Sequence, residues 1–158
     1  MTQIKKRKSP WLKRILLGGF ILLLIGAGIY WYIATDKFAD TKDRKPAYTV
    51  NAMDFIKEFS LNETAANTKY KDKIVAVRGT VSQVEPADTT VNIKFIDPNT
   101  QSYVIFAFQE QHLAEAKTLK AGDSVSIKGS FSSGIYSDIM EATSINFKRS
   151  TIEHVFKQ

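Results

Sequence analysis

The sequence predicts a mainly β domain, a small five-stranded barrel with one helix between its third and fourth strands, held behind an N-terminal membrane helix. Three observations predict it. Residues Ile15 to Thr35 form 21 consecutive positions without a charge. From Lys73 onward the apolar period changes from 3.6 to 2. Glycines and turn residues then punctuate the chain at the intervals that short strands need.

The apolar stretch comes first. At 1.5 Å per residue a helix of that length spans roughly 30 Å, the hydrocarbon thickness of a bilayer. It ends in Tyr30-Trp31-Tyr32, aromatic residues suited to a membrane interface. It exceeds the 7–15 apolar residues usual for a cleaved signal, and no small-x-small site follows. Before it lie Lys5, Lys6, Arg7, Lys8, Lys13 and Arg14, with no acid among residues 1–35. By the positive-inside rule these basic residues keep the N-terminus in the cytoplasm and send the remainder outward. The expected organisation is a basic N-terminus over 1–14, a transmembrane helix over 15–35, a polar tether over 36–47, a barrel domain over 48–149 and a tail over 150–158.

The charge balance narrows the function. The chain has 22 Lys+Arg and 16 Asp+Glu; removing the six basic residues of the N-terminus leaves 16 − 16 = 0. Bulk attraction to phosphate therefore does not steer the domain. Zero cysteines exclude a disulfide framework, thiolate metal sites, a cysteine nucleophile and a lipid-modified cysteine.

Asn51 is a candidate N-cap, followed by a short helix with Met53, Phe55, Ile56 and Phe59 on one face. Ser60-Leu61-Asn62-Glu63 has capping-box form and is expected to open a second short helix through Tyr70. The run KIVAVRGTVSQVE is long for one strand, and its internal Gly79 suggests a sharp bend. TVNIKFI is the second strand, Asp97-Pro98-Asn99-Thr100 a turn, and SYVIFAF the third strand. QEQHLAEAKTL reads as a helix stopped by Ala121-Gly122-Asp123. SVSIKGSF, a loop SSGIYSD and a last strand IMEATSINF complete the chain. That order is the order of an OB-fold.

The stretch NETAANTKYKDKIVAVRGTV resembles the opening of the tRNA_anti-like family of bacterial OB-fold proteins, through Asn62, Glu63, Ala66, Tyr70, Lys73, Val77, Gly79 and Val81. Leu119, Gly122, Val125 and Gly129 fit the family's later pattern. The resemblance covers about residues 50–147. It implies an OB-fold in a family many of whose members are exported or lipid-anchored.

An OB-fold binds on the face of its second and third strands. The ligand-binding candidates are therefore Arg78, Asn92, Lys94, Tyr103 and Lys128 at outward positions, with Tyr70 at the barrel mouth. One aromatic and three cations could stack a base and hold a phosphate. Single-strand binders, however, use several aromatics and a basic groove, and this domain is neutral. His112 and His154 are not accompanied by a serine elbow, an H-E-x-x-H or a Walker motif, so neither catalysis, metal nor cofactor is expected. The expected function is a non-catalytic, single-pass binding module of the bacterial cytoplasmic membrane. It meets the bilayer through residues 15–35 and takes a protein or envelope ligand, with a single-stranded nucleic acid or tRNA as the alternative.

Overall fold

A computed structural model describes residues 10–38 and 40–156. The basic residues Lys5, Lys6, Arg7 and Lys8, and the last two residues of the expected tail, lie outside the described residues. The chain divides into two units, residues 1–39 and 40–158.

In the first unit, α1 (Pro10–Phe38) is a 29-residue helix. Its Lys13–Tyr32 stretch has a mean hydropathy of 2.0 and is long and apolar enough to cross a membrane. The apolar side chains from Ile15 to Ile25 are exposed around the whole helix, so no stripe is reserved for a protein core.

The second unit begins with a 3-10 turn (Thr41–Asp43), then β1 (Tyr48–Asn51), α2 (Ala52–Leu61) and α3 (Glu63–Tyr70). Asn51 caps α2, its side-chain oxygen accepting from the Met53 N–H at 2.9 Å. The cap of α3 is Asn62, accepting from Ala65 N–H at 3.0 Å, rather than Ser60. Ser60 belongs to α2 and its hydroxyl donates to the Ile56 carbonyl, because the four apolar anchors of α2 carry that helix one turn further.

The remaining strands are β2 (Ile74–Thr80), β3 (Gln83–Pro86), β4 (Thr90–Ile96), β5 (Tyr103–Gln109), β6 (Ser124–Ser137) and β7 (Ala142–Phe156). The sheet has seven strands in the order β1-β2-β6-β7-β5-β4-β3. β2 and β3 stand near opposite ends of that order, yet only Val81 and Ser82 separate them. The three Cα steps from Thr80 to Gln83 span at most about 11 Å, so the sheet must curl to bring β2 and β3 together. The Val81 N–H donates to Asp123 O at 2.9 Å and the Ser82 N–H to Lys94 O at 2.8 Å. The chain thus passes from the β6 side of the sheet to the β4 side at this bend.

Counting β2 and β3 as arms of one bent strand, and adding β1 as an edge strand parallel to β2, relates the seven strands to the expected five. The arrangement is consistent with an OB-fold. The bend, however, falls at Val81-Ser82 and not at Gly79. Gly79 answers to packing: a Cβ there would lie 2.8 Å from Phe95 Cδ2 and 2.9 Å from Ala52 Cβ.

Three more expectations need correction. The stretch SSGIYSD is not a loop but the second half of β6, paired through Ser133↔Asn146 and Gly134↔Ile145. Residues 150–156, expected as a tail, continue β7 against β6, as in Thr151↔Lys128 and Val155↔Val125. The helix expected over 109–119 is a 3-10 turn (Glu110–His112) and α4 (Leu113–Ala116), since β5 itself runs to Gln109.

The core lies between α2 and the barrel interior. Phe55, Phe59, Tyr70, Phe95, Phe106, Phe131 and Phe147 are all buried and meet one another as ring pairs. Helix α3 is fastened to β6 by Asn67, whose amide donates to Gly134 O at 2.7 Å and accepts from Gly134 N–H at 2.9 Å. We expect Asn67→Ala to cost about 1–3 kcal/mol, because it strands both backbone groups of Gly134. A denaturant midpoint measures that loss.

Candidate ligand-binding face

Alternation along β4 puts Val91, Ile93 and Phe95 in the core and Asn92, Lys94 and Ile96 on the outer face. The register aligns Lys94 with Ile105 and Ile96 with Tyr103 on β5. It continues to Ser144 and Asn146 on β7, and from Ser144 to Ile135 on β6. The outer face of β4, β5, β7 and the end of β6 is therefore one surface. It carries an apolar row of Ile96, Tyr103 and Ile135, beside Ile105, Asn92 and Asn146.

Of the six candidate residues, the structure brings together Asn92, Lys94 and Tyr103. The Lys94 ammonium stands 2.7 Å from Glu85 Oε1 and 5.2 Å from the Tyr103 ring centroid. Its charge is already neutralised by Glu85 across the β3–β4 pair. Glu85 was not among the candidates because its partner is set by strand register, which the sequence does not display. Asn146 and Ile135 escaped for the same reason.

The other three stand elsewhere. Arg78 is exposed on β2, with its guanidinium 6.0 Å from the Phe156 ring centroid. Lys128 alternates outward as expected but is buried, because the 3-10 turn at Thr41–Asp43 covers it. Its ammonium donates to Lys42 O at 2.9 Å and Arg44 O at 2.8 Å. Tyr70 is not at a barrel mouth. It is fully buried, with its ring edge-on to Phe55 and its hydroxyl donating to Glu58 Oε2 at 2.7 Å.

The electrostatics around Tyr70 are those of a closed structural cluster. Burial raises the Glu58 carboxyl, but hydrogen bonds from Lys69 and Tyr70 outweigh it and hold the group below the ordinary carboxylate range. The same Glu58 bond, at 2.7 Å, raises Lys69. Burial is the main cause that raises the Tyr70 phenol. On the outer face the Tyr103 ring is half-buried with Lys94 over it, and the Asn146 amide donates to the Ser133 and Ser144 carbonyls. The face has no converging set of cations.

The model of the tRNA_anti-like family matches residues 1–142. The chain belongs to that family. Among solved structures, it resembles a protein from Klebsiella pneumoniae described as a candidate nucleic acid-binding lipoprotein, with a TM-score of 0.53 and 19% identity. The match covers 66% of this chain and 91% of that one. At such identity the likeness speaks for the fold alone. Asparaginyl-tRNA synthetases from Pyrococcus horikoshii and Entamoeba histolytica align with TM-scores of 0.37 and 0.41. Identities are 14% and 11%, over 21% and 25% of those chains, too distant to bear on this one. No curated protein matches the chain.

In this tRNA_anti-like chain the motif residues prove architectural. Asn62 caps α3, and Glu63 accepts the Tyr136 N–H at 2.9 Å. Ala66 and Tyr70 are buried, and Gly122 adopts a φ of +97° in the turn that bonds to Val81.

Proposed function

We propose that the chain is a non-catalytic, single-pass binding module. In this reading α1 anchors it in the bacterial cytoplasmic membrane, its N-terminus is inside, and its OB barrel faces the extracytoplasmic space. The ligand is a protein or an uncharged envelope component, held on the outer face of β4, β5 and β7. The observation that carries this reading is the engagement of Lys94 by Glu85 and of Lys128 by two carbonyls. Two of the three cations that a phosphate backbone would need are already spent.

A second reading, single-stranded nucleic acid, is favoured by the half-buried Tyr103 ring on the outer face and by the name of the Klebsiella protein of similar fold. The two separate in a titration of the full-length protein in detergent with labelled single-stranded DNA and RNA. Phosphate contacts are strongest at low salt. We expect no saturable binding there. A salt-sensitive dissociation constant of about 1 µM or tighter, weakened by Tyr103→Ala, would instead establish the nucleic-acid reading.

A further inference from the structure

The segment after α1 was expected to be a free tether, yet residues 40–45 lie docked on the barrel. Asp40 caps the 3-10 turn, accepting from Lys42 N–H at 3.0 Å, and Thr41 is buried. His112 Nε2 sits 2.9 and 3.0 Å from the two Asp40 carboxylate oxygens. The Lys42 ammonium reaches Glu115 Oε1 at 3.1 Å, and Lys128 holds two carbonyls of the segment.

One atom in this set is unsettled. The His112 side chain is only 9% exposed, and its Nδ1 is buried with no hydrogen-bond partner. Glu115 Oε2 stands 3.9 Å from it. With Nε2 donating to Asp40, a neutral imidazole presents a bare lone pair at Nδ1 toward a carboxylate, acceptor facing acceptor. A protonated imidazole presents an N–H there and lies between two carboxylates.

We infer that residues 40–45 form a strap that closes more tightly on the barrel as the medium acidifies, with His112 as the proton-sensing group. The charged groups in contact with its ring are Asp40 and Glu115; Lys42 pairs with Glu115, and Lys128 on β6 holds two carbonyls of the strap. A proton taken up at Nδ1 completes the pair with Glu115. Asp40 sets the lower limit. The Lys42 N–H and the His112 contact hold its carboxyl below the usual range, so its contribution persists above that range and is lost only as pH falls through the depressed value. Release would free six residues of chain, about 20 Å of reach, between α1 and the barrel.

The test is amide hydrogen exchange on the full-length protein in lipid nanodiscs between pH 8 and pH 5.5, corrected for intrinsic rates. Amides of β4 serve as the internal reference for folding. Protection of residues 41–45 is expected to rise about two- to fivefold relative to β4 on acidification, the size of one partly exposed charge pair. His112→Gln, which keeps a donor for Asp40 but cannot charge, should abolish the rise, and Glu115→Gln should reduce it. Strap protection that ignores pH in the wild type, or a pH response unchanged in His112→Gln, overturns the inference. If His112→Gln loses β4 protection, the Glu115→Gln response decides in its place.

Discussion

Tyr70→Ala is expected to destabilise the barrel unit by about 3–5 kcal/mol, the cost of emptying a buried aromatic site. The ring is fully buried and packs on Tyr48, Phe55, Phe59 and Phe131, so no single neighbour can collapse into the space. Tyr70→Phe keeps the ring and deletes only the bond to Glu58, and should cost about 1–2 kcal/mol. The pH dependence separates the two effects. Because the folded state depresses the Glu58 carboxyl, its contribution is present above the ordinary carboxylate range and lost as pH falls through the depressed value. Glu58→Gln should therefore flatten the acid limb of a denaturant-midpoint profile and leave the neutral limb parallel to wild type. A Tyr70→Ala variant within 1 kcal/mol of wild type would show that this residue is not part of the core.

Gly79→Val should cost about 1–3 kcal/mol despite the better strand propensity of valine. A Cβ at this position overlaps Phe95 and Ala52. The first is a buried ring already packed on Phe106 at 5.1 Å, and the second is attached directly to the α2 backbone, so neither yields cheaply. The cause is close approach, not the strained backbone that a bent strand suggests. The difference is measurable. Gly79→Ala should already be destabilising, and Phe95→Leu should recover part of that loss in a double-mutant cycle. Additive effects of the two substitutions would contradict the overlap.

Elements governed by local rules were legible in the sequence. The Val91, Ile93, Phe95 alternation marks β4 with its observed bounds, and Asn51 marks the start of α2. Gly79 was legible as a special position but not for its reason, since the ring that crowds it is 16 residues away in the chain. Lys128 shows the limit most clearly. Its outward alternation is correct, but the turn that covers it belongs to residues 84–86 positions earlier. The second half of β6 was hidden because Ser132, Ser133 and Gly134 form a strand by virtue of their partners on β7 and of Asn67, not by propensity. Likewise Asn92, Lys94 and Tyr103 could be placed on one face from periodicity alone, while the Glu85 that neutralises Lys94 depends on a register that only the folded sheet fixes.

The central claim is an anchored barrel on the far side of the membrane. Paired fusions of alkaline phosphatase and green fluorescent protein to the C-terminus test it most directly, since the first is active only outside the cytoplasm and the second fluoresces only within it. The account predicts an active phosphatase and a dark fluorescent fusion, both retained in the membrane fraction. A fluorescent fusion with an inactive phosphatase would place the barrel in the cytoplasm and contradict it.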